Sequence, residues 1–167
     1  MTREGAVSSA YFQTILLIER LHRQFLEVVK GELDRLGVQD INNIQALILY
    51  NIGKDDLTVG ELTNRGYYLG SNVSYNLKKM VETGYLEQER STHDRRTVRV
   101  RLSEKGKNLH VKLAEMFARH SSKLTDGNLA PAKLAATYES LQSLGRYWNE
   151  VLNSPARTLS SDSRLRA

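Results

Sequence analysis

Along residues 9–36, apolar side chains recur at threes and fours. Tyr11, Ile15, Ile18, Leu21, Phe25, Val29, Leu33 and Leu36 share one face of a helix that Gly37 stops. Phe12, Leu16, Leu17, Leu26 and Val28 widen this stripe beyond what one core-facing side needs, so the helix is expected to pack on a second partner as well. A second helix is predicted over residues 41–52, with Asp40 placed to cap it and Gly53 to end it. Thr58-Val59-Gly60-Glu61 has capping-box spacing, in which the hydroxyl takes the third amide and the carboxylate reaches back. It opens a short helix over residues 59–65, with Gly66 making the turn. A fourth helix spans residues 71–83 and closes at Gly84, where a left-handed cap suits glycine.

The period then changes from helical to two. In residues 97–102, Val98, Val100 and Leu102 alternate with Thr97, Arg99 and Arg101. Residues 85–90 can pair with them across the polar turn Ser91-Thr92-His93-Asp94-Arg95-Arg96. The resulting hairpin has one apolar face and one cationic face, with Arg95 and Arg96 at its tip. Such a surface suits phosphate oxygens, or it serves only as a charged edge that discourages strand aggregation. Ser103 caps a long helix carrying Leu109, Leu113, Phe117 and Leu124, and Asp126-Gly127-Asn128 breaks it. Pro131 opens a last helix with Leu134, Tyr138, Leu141, Leu144, Trp148 and Val151 on one face. No internal repeat is present.

Short helix, glycine turn, second helix and two-stranded hairpin is the order of a winged helix-turn-helix, whose second helix enters the DNA major groove. The fold class expected is therefore mainly α with a small β-hairpin wing. In the reading helix, Val73, Leu77 and Met80 or Val81 form the buried side, and Ser71, Asn72, Ser74, Tyr75, Lys78 and Lys79 face outward. Asn can address adenine bidentately, Ser and Tyr bond base edges or phosphates, and Lys supplies point charge. A solvated helix face has a similar composition, but the adjacent basic hairpin favours DNA.

Composition adjusts this picture only slightly. The 167 residues suit one domain with helical extensions, and the 40% apolar content is ordinary for a globular chain. The net charge of +5 points toward a polyanion. Part of it lies past Ser154, where three arginines stand against one aspartate in a stretch that reads as a disordered tail. No apolar run is long enough to cross a bilayer, and the N-terminus lacks the plan of a secretory signal, so no membrane partner and a cytoplasmic location are expected. The absence of cysteine excludes disulfides and thiolate-bound zinc.

The wing and its flanks resemble the MarR family of regulators. Asp94-Arg95-Arg96, the strand that follows, and Leu102-Ser103-Glu104-Lys105-Gly106 are similar to that family's wing turn and its Leu-Ser/Thr-x-x-Gly helix entry. The segment from Leu77 through Gly84 to Leu86 is similar to the end of its reading helix. The likeness covers residues 15–152. The run from Arg65 to Asn76, RGYYLGSNVSYN, is less typical and resembles a branch that includes the L,D-transpeptidase regulator. The resemblance implies wing contacts to the minor groove or its phosphates by Arg95 and Arg96, and a structural role for Asp94 in the turn; Arg99, on the cationic edge of the hairpin, is a further candidate contact. It also implies dimerisation through the long first and last helices. Residues 1–37 would then be a dimerisation helix, 38–106 the DNA-binding lobe, 107–153 further dimerisation helices and 154–167 the tail.

Two function classes follow. One is a homodimeric, sequence-specific transcription regulator that binds an inverted repeat in double-stranded DNA. The other is a winged-helix module gripping an acidic protein surface, although such an interface would want aromatic or aliphatic anchors on the outer helix face. The family resemblance adds a small aromatic or amphipathic effector, for which Tyr11, Ile15, Ile44, Leu47 and Phe117 are the candidate lining and equally plain core. His120 falls in an apolar register and reads as a core or interface imidazole. No metal-ligand spacing, nucleophile motif or phosphate-cradling loop is evident, so neither a metal, a cofactor nor an enzymatic activity is expected.

Overall fold

The ten-residue, largely apolar segment NIQALILYNI forms helix α2 (Asn43–Ile52), the hub of the fold. Ala46, Ile48, Leu49 and Ile52 are all buried, as befits a helix that is hydrophobic around most of its circumference. The computed structural model describes residues 3–66, 70–90, 98–127 and 129–154. The expected disordered tail therefore lies, past Ser154, outside the described residues.

Helix α1 (Arg3–Arg35) supplies Val29 and Leu33 to the core around α2. Its N-terminal half does not share this burial, for Phe12, Leu16, Leu17 and Leu21 are exposed. Asp40 was the expected cap of α2, and here the structure differs. Asn42 is the cap: its side chain accepts the Gln45 amide at 2.9 Å, and Gln45 Oε1 accepts the Asn42 amide at 3.0 Å. Asn and Gln at this spacing satisfy the same two orphan amides as Ser and Glu, and such a cap contributes about 1 kcal/mol. Asp40 is thereby left for another role, described below.

A short strand, β1 (Leu57–Thr58), precedes α3 (Val59–Gly66). The capping box at the start of α3 is present: Glu61 donates its amide to Thr58 Oγ1 at 3.2 Å and returns a carboxylate oxygen to the Thr58 amide at 2.7 Å. Helix α4 (Gly70–Glu82) follows, then β2 (Leu86–Arg90) and β3 (Val98–Leu102). The wing is not two-stranded as expected. β1 joins it, giving an antiparallel sheet in the order β1-β3-β2 with Leu57 opposite Val100. Val100 and Leu102 turn into the core while Arg101 faces out, as the period of two requires.

Helix α5 (Glu104–Asp126) starts at Ser103, whose hydroxyl accepts the Gly106 amide at 3.1 Å. Leu109, Leu113 and Met116 add its apolar stripe to the core. Helix α6 (Pro131–Asn153) ends the described chain. The packing divides the chain into two units, Met1–Ala118 and Arg119–Ala167, with the boundary inside α5. In the first unit α1, the winged lobe and the start of α5 share one core. The boundaries at residues 37 and 106 drawn from the sequence are not boundaries of packing. In the second unit α6 buries none of its residues, and Leu134, Tyr138, Leu141, Tyr147 and Val151 stand exposed.

Candidate nucleic-acid interface

Helix α4 divides as its sequence predicts. Val73, Leu77 and Met80 are buried, and Val81 is half-buried beside them. At 100° per residue, Tyr75 and Lys78 project opposite that ridge, with Asn72 and Lys79 on one flank and Ser74 on the other. All five are exposed, Tyr75 by 63%. Ser71 lies in the helix, but its side chain is outside the described residues. Two features were not read from the sequence. Asn76 turns back to bond the Asn72 carbonyl at 2.8 Å. Glu82 holds Lys79 at 2.9 Å, and this contact raises the Lys79 pKa and lowers that of Glu82. Lys79 would have to exchange that carboxylate for a phosphate, whereas Lys78 projects outward beside Tyr75.

The wing strands are less cationic than their arginines suggest. Register places Arg101 opposite Glu87 and Arg99 opposite Glu89. Arg101 bonds Glu87 at 2.9 Å and approaches Glu89 at 3.6 Å. Arg99 pairs with Asp56 Oδ2 at 3.1 Å and also donates to the Asp56 carbonyl. The cationic ladder expected on this face is therefore met by a row of carboxylates. A reading of charge on one strand alone misses the alternating Glu87 and Glu89 that were visible in its partner. Asp94, Arg95 and Arg96 lie outside the described residues.

The five candidate effector residues do not gather at one point of the chain. Phe117 stacks on Phe25, ring centroids 6.0 Å apart, and meets Tyr50 edge-on at 4.6 Å. Tyr50 also stacks on His110 at 5.0 Å. Leu47 is half-buried and packs against the same core, whereas Ile44 is exposed. Tyr11 and Ile15 lie on α1 roughly 21 and 15 Å from Phe25 along the helix axis. His120 is half-buried, and no cluster of three metal-ligating side chains occurs among the described residues. No described helix is long and apolar enough to cross a membrane.

A separate cleft of 620 Å³ opens between residues 53–56, the base of the wing and the first turns of α5. Its carboxylates are already engaged: Asp55 by Arg65, Asp56 by Arg99, Glu87 by Arg101 and Glu104 by Lys107. With its charges balanced in this way, the cleft selects no ligand class.

A buried-backed outer helix beside a three-stranded wing defines a winged helix-turn-helix protein. Residues 39–97 match the family model described as MarR family. The chain is 38% identical over 141 residues to the exopolysaccharide II synthesis transcriptional activator ExpG of Rhizobium meliloti (strain 1021), covering 84% of this chain and 73% of that protein. Its fold is similar to that of Streptococcus pneumoniae FabT in complex with DNA, with a TM-score of 0.69, 22% identity and coverage of 84% of this chain and 99% of that one. The S. aureus MepR–DNA complex gives a TM-score of 0.68 at 17% identity, covering 80% and 96%. The chain belongs to the MarR family of winged-helix transcription regulators. The narrower likeness to the branch of the L,D-transpeptidase regulator rests on residues 65–76 alone.

Proposed function

We propose that this protein is a homodimeric, sequence-specific DNA-binding regulator whose α4 reads an inverted repeat in the major groove. The observation that carries the reading is the outer face of α4, where Asn72, Ser74, Tyr75, Lys78 and Lys79 are exposed over a fully buried Val73–Met80 ridge. Such a helix is held rigidly from behind while offering hydrogen-bonding groups and charge in front. A protein partner would want apolar anchors on this face, and Tyr75 is its only large apolar-bodied group among the described residues. ExpG, the 38% identical relative, is named a transcriptional activator, and two solved structures of the same fold hold DNA.

In this reading Ser71 completes the reading helix, Arg95 and Arg96 are the phosphate or minor-groove contacts of the wing, and Asp94 shapes its turn. Arg99 contributes only if it releases Asp56. The second copy is recruited by the exposed apolar residues of α1 and α6. A small aromatic or amphipathic effector fits the aromatic packing of Phe25, Tyr50 and Phe117 beside Leu47, with Tyr11, Ile15 and Ile44 supplied across the dimer.

Selection from a random DNA pool tests the reading. The expected product is a palindrome with half-site centres about 10 bp apart, one helical turn. Asn72→Ala or Tyr75→Ala should cost roughly 1–3 kcal/mol at particular base pairs of it. A pool that returns no preferred sequence refutes direct reading by α4.

A further inference from the structure

We propose that Asp40, Tyr85 and Lys105, none of them on the outer face of α4, are positioning residues that set the angle at which α4 meets DNA. The proposal rests on the reading of α4 as the DNA-reading helix.

The C-terminal end of α4 closes in a Schellman turn. Tyr85 donates its amide to Met80 at 2.9 Å, Gly84 donates to Val81 at 3.0 Å, and Gly84 takes φ +78°. The carbonyls left over are then claimed by a different helix. Ser103, just before α5, donates its hydroxyl to the Gly84 carbonyl at 2.6 Å and its amide to the Tyr85 carbonyl at 3.1 Å. Lys105 Nζ donates to the Thr83 carbonyl at 2.9 Å, a cation placed where the α4 dipole favours one. The same ammonium reaches Asp40 Oδ2 and lies 4.2 Å from the centroid of the Tyr85 ring. The Tyr85 hydroxyl, on a ring only 3% exposed, donates to Asp40 Oδ1 at 2.7 Å.

Three segments far apart in sequence thus meet at one point: the turn before α2, the end of α4 and the first turn of α5. Asp40 joins them because each of its oxygens takes a donor from a different element. The two donors hold its carboxyl below the usual range, Lys105 more than Tyr85, and burial with that bond pushes the Tyr85 phenol up.

The geometry bears directly on reading. The tips of Tyr75 and Lys78 stand about 6 Å or more from the helix axis, and a rotation of α4 by roughly 10° about that axis would move them by about 1 Å or more. Base reading tolerates about 0.5 Å. Val73, Leu77 and Met80, with Val81 beside them, hold the back of α4, and its C-terminal end is held separately, by Lys105 at the Thr83 carbonyl. The ties at Thr83, Gly84 and Tyr85 join the end of α4 to the start of α5 and so oppose its rocking.

The test compares the palindrome selected by the wild-type protein with random DNA, in the full-length chain and at a temperature where circular dichroism shows each variant folded. Tyr85→Phe keeps the ring and removes the hydroxyl; Asp40→Asn and Lys105→Gln break the other ties. Each should weaken binding to the palindrome about tenfold, the loss of one charge-assisted hydrogen bond, and binding to random DNA less than about twofold. The dependence of log affinity on log salt should not change, because a lost phosphate contact would flatten it by about 0.9 each. Tyr85→Phe combined with Asp40→Asn should be little worse than either alone. Unchanged palindrome affinity in all three variants overturns the proposal, as does an equal loss on both DNAs or a flattened salt slope for Lys105→Gln. Asn72→Ala separates the two claims. If it loses the palindrome while Tyr85→Phe keeps it, α4 reads DNA without this tie; if it reads the palindrome unchanged, the reading by α4 fails and the positioning role falls with it.

Discussion

Replacing Gly106 by Ala would ordinarily stabilise a helix, and in this protein it should do the opposite. A Cβ at Gly106 would lie 2.2 Å from the Tyr85 carbonyl oxygen, 3.3 Å from its carbon and 3.4 Å from Leu102 Cβ, where ordinary contact begins at 3.4 Å. The obstacle is backbone, so no rotamer change relieves it, and the first turn of α5 must retreat from β2 by about 1 Å. That movement strains the Ser103–Tyr85 and Gly106–Ser103 hydrogen bonds, both 3.1 Å. Overpacking of this kind costs about 1–3 kcal/mol and each weakened bond about 1 kcal/mol. The intrinsic gain of Ala over Gly in a helix offsets about 1 kcal/mol. The net loss is then about 2–4 kcal/mol, a fall in Tm of about 4–16 °C for a chain of this size. Calorimetry at fixed protomer concentration measures it, since dimerisation would otherwise shift Tm. Gly31→Ala is the matched control: nothing lies within 4 Å of the added methyl near the C-terminal end of α1, so Tm should rise slightly. An unchanged or raised Tm for Gly106→Ala would refute the close approach of α5 to Tyr85.

Three further outcomes are expected. Phe12→Glu with Leu16→Glu, on the exposed half of α1, should return the 19.0 kDa protomer in light scattering while the wild type gives twice that mass, and a wild-type protomer at micromolar concentration would contradict the dimer. Arg95→Ala and Arg96→Ala should each weaken palindrome and random DNA alike and flatten the salt plot by about 0.9 per lost phosphate contact, doubled by two wings; an unaltered slope would make them surface charge only. The tie at Asp40 should also confine stability to a pH window. The carboxyl is depressed from 3.8, so its contribution is complete above about pH 4 and fades as pH falls; the phenol is raised from 10.0, so its contribution is complete below about pH 10 and fades as pH rises. Denaturant titrations across pH should lose the alkaline limb in Tyr85→Phe, and in absorbance titration that variant should lack the last phenolate to appear.

Most of the helices were legible because each has an independent local signal. The Thr58–Glu61 box, Gly84 after a run of helical period, and Ser103 three residues before Gly106 each specify a boundary through backbone chemistry that neighbours do not alter. Two of the features that were missed depend on partners distant in sequence. β1 is two residues long, too short for any periodicity, and exists because Leu57 and Thr58 meet Val100 and Arg99. Asp40 looked like a cap because Asp favours such positions, yet Asn42 stands one residue before α2 and its Gln45 completes the box. Asp40 is taken instead by Tyr85 and Lys105, from 45 and 65 residues away. The candidate effector residues came from the family resemblance, which does not show that Phe117 lies in an aromatic cluster with Phe25 and Tyr50.

The arginines of the wing carry the remaining argument. Arg99 and Arg101 look like phosphate ligands when strand β3 is read alone, but their carboxylate partners nearly cancel them at the surface. Exposed pairs of this kind contribute little to stability, with a median below about 1 kcal/mol, so folding is a weak reason for them. Their stronger effect is on binding. A wing base with neutral pairs gives random DNA little to hold, since nonspecific affinity grows with each phosphate neutralised. Lys79, held by Glu82, is muted in the same way on α4 itself. In the proposed reading, attraction for DNA would then fall to Arg95, Arg96 and Lys78, and discrimination to Asn72 and Tyr75. Under this division of labour, Glu87→Gln or Glu82→Gln should raise affinity for random DNA more than for the palindrome, and so degrade specificity while strengthening binding. Competition between the two DNAs measures the ratio directly, and a ratio that stays constant or rises in both variants would show that the carboxylates do not mask these cations from DNA.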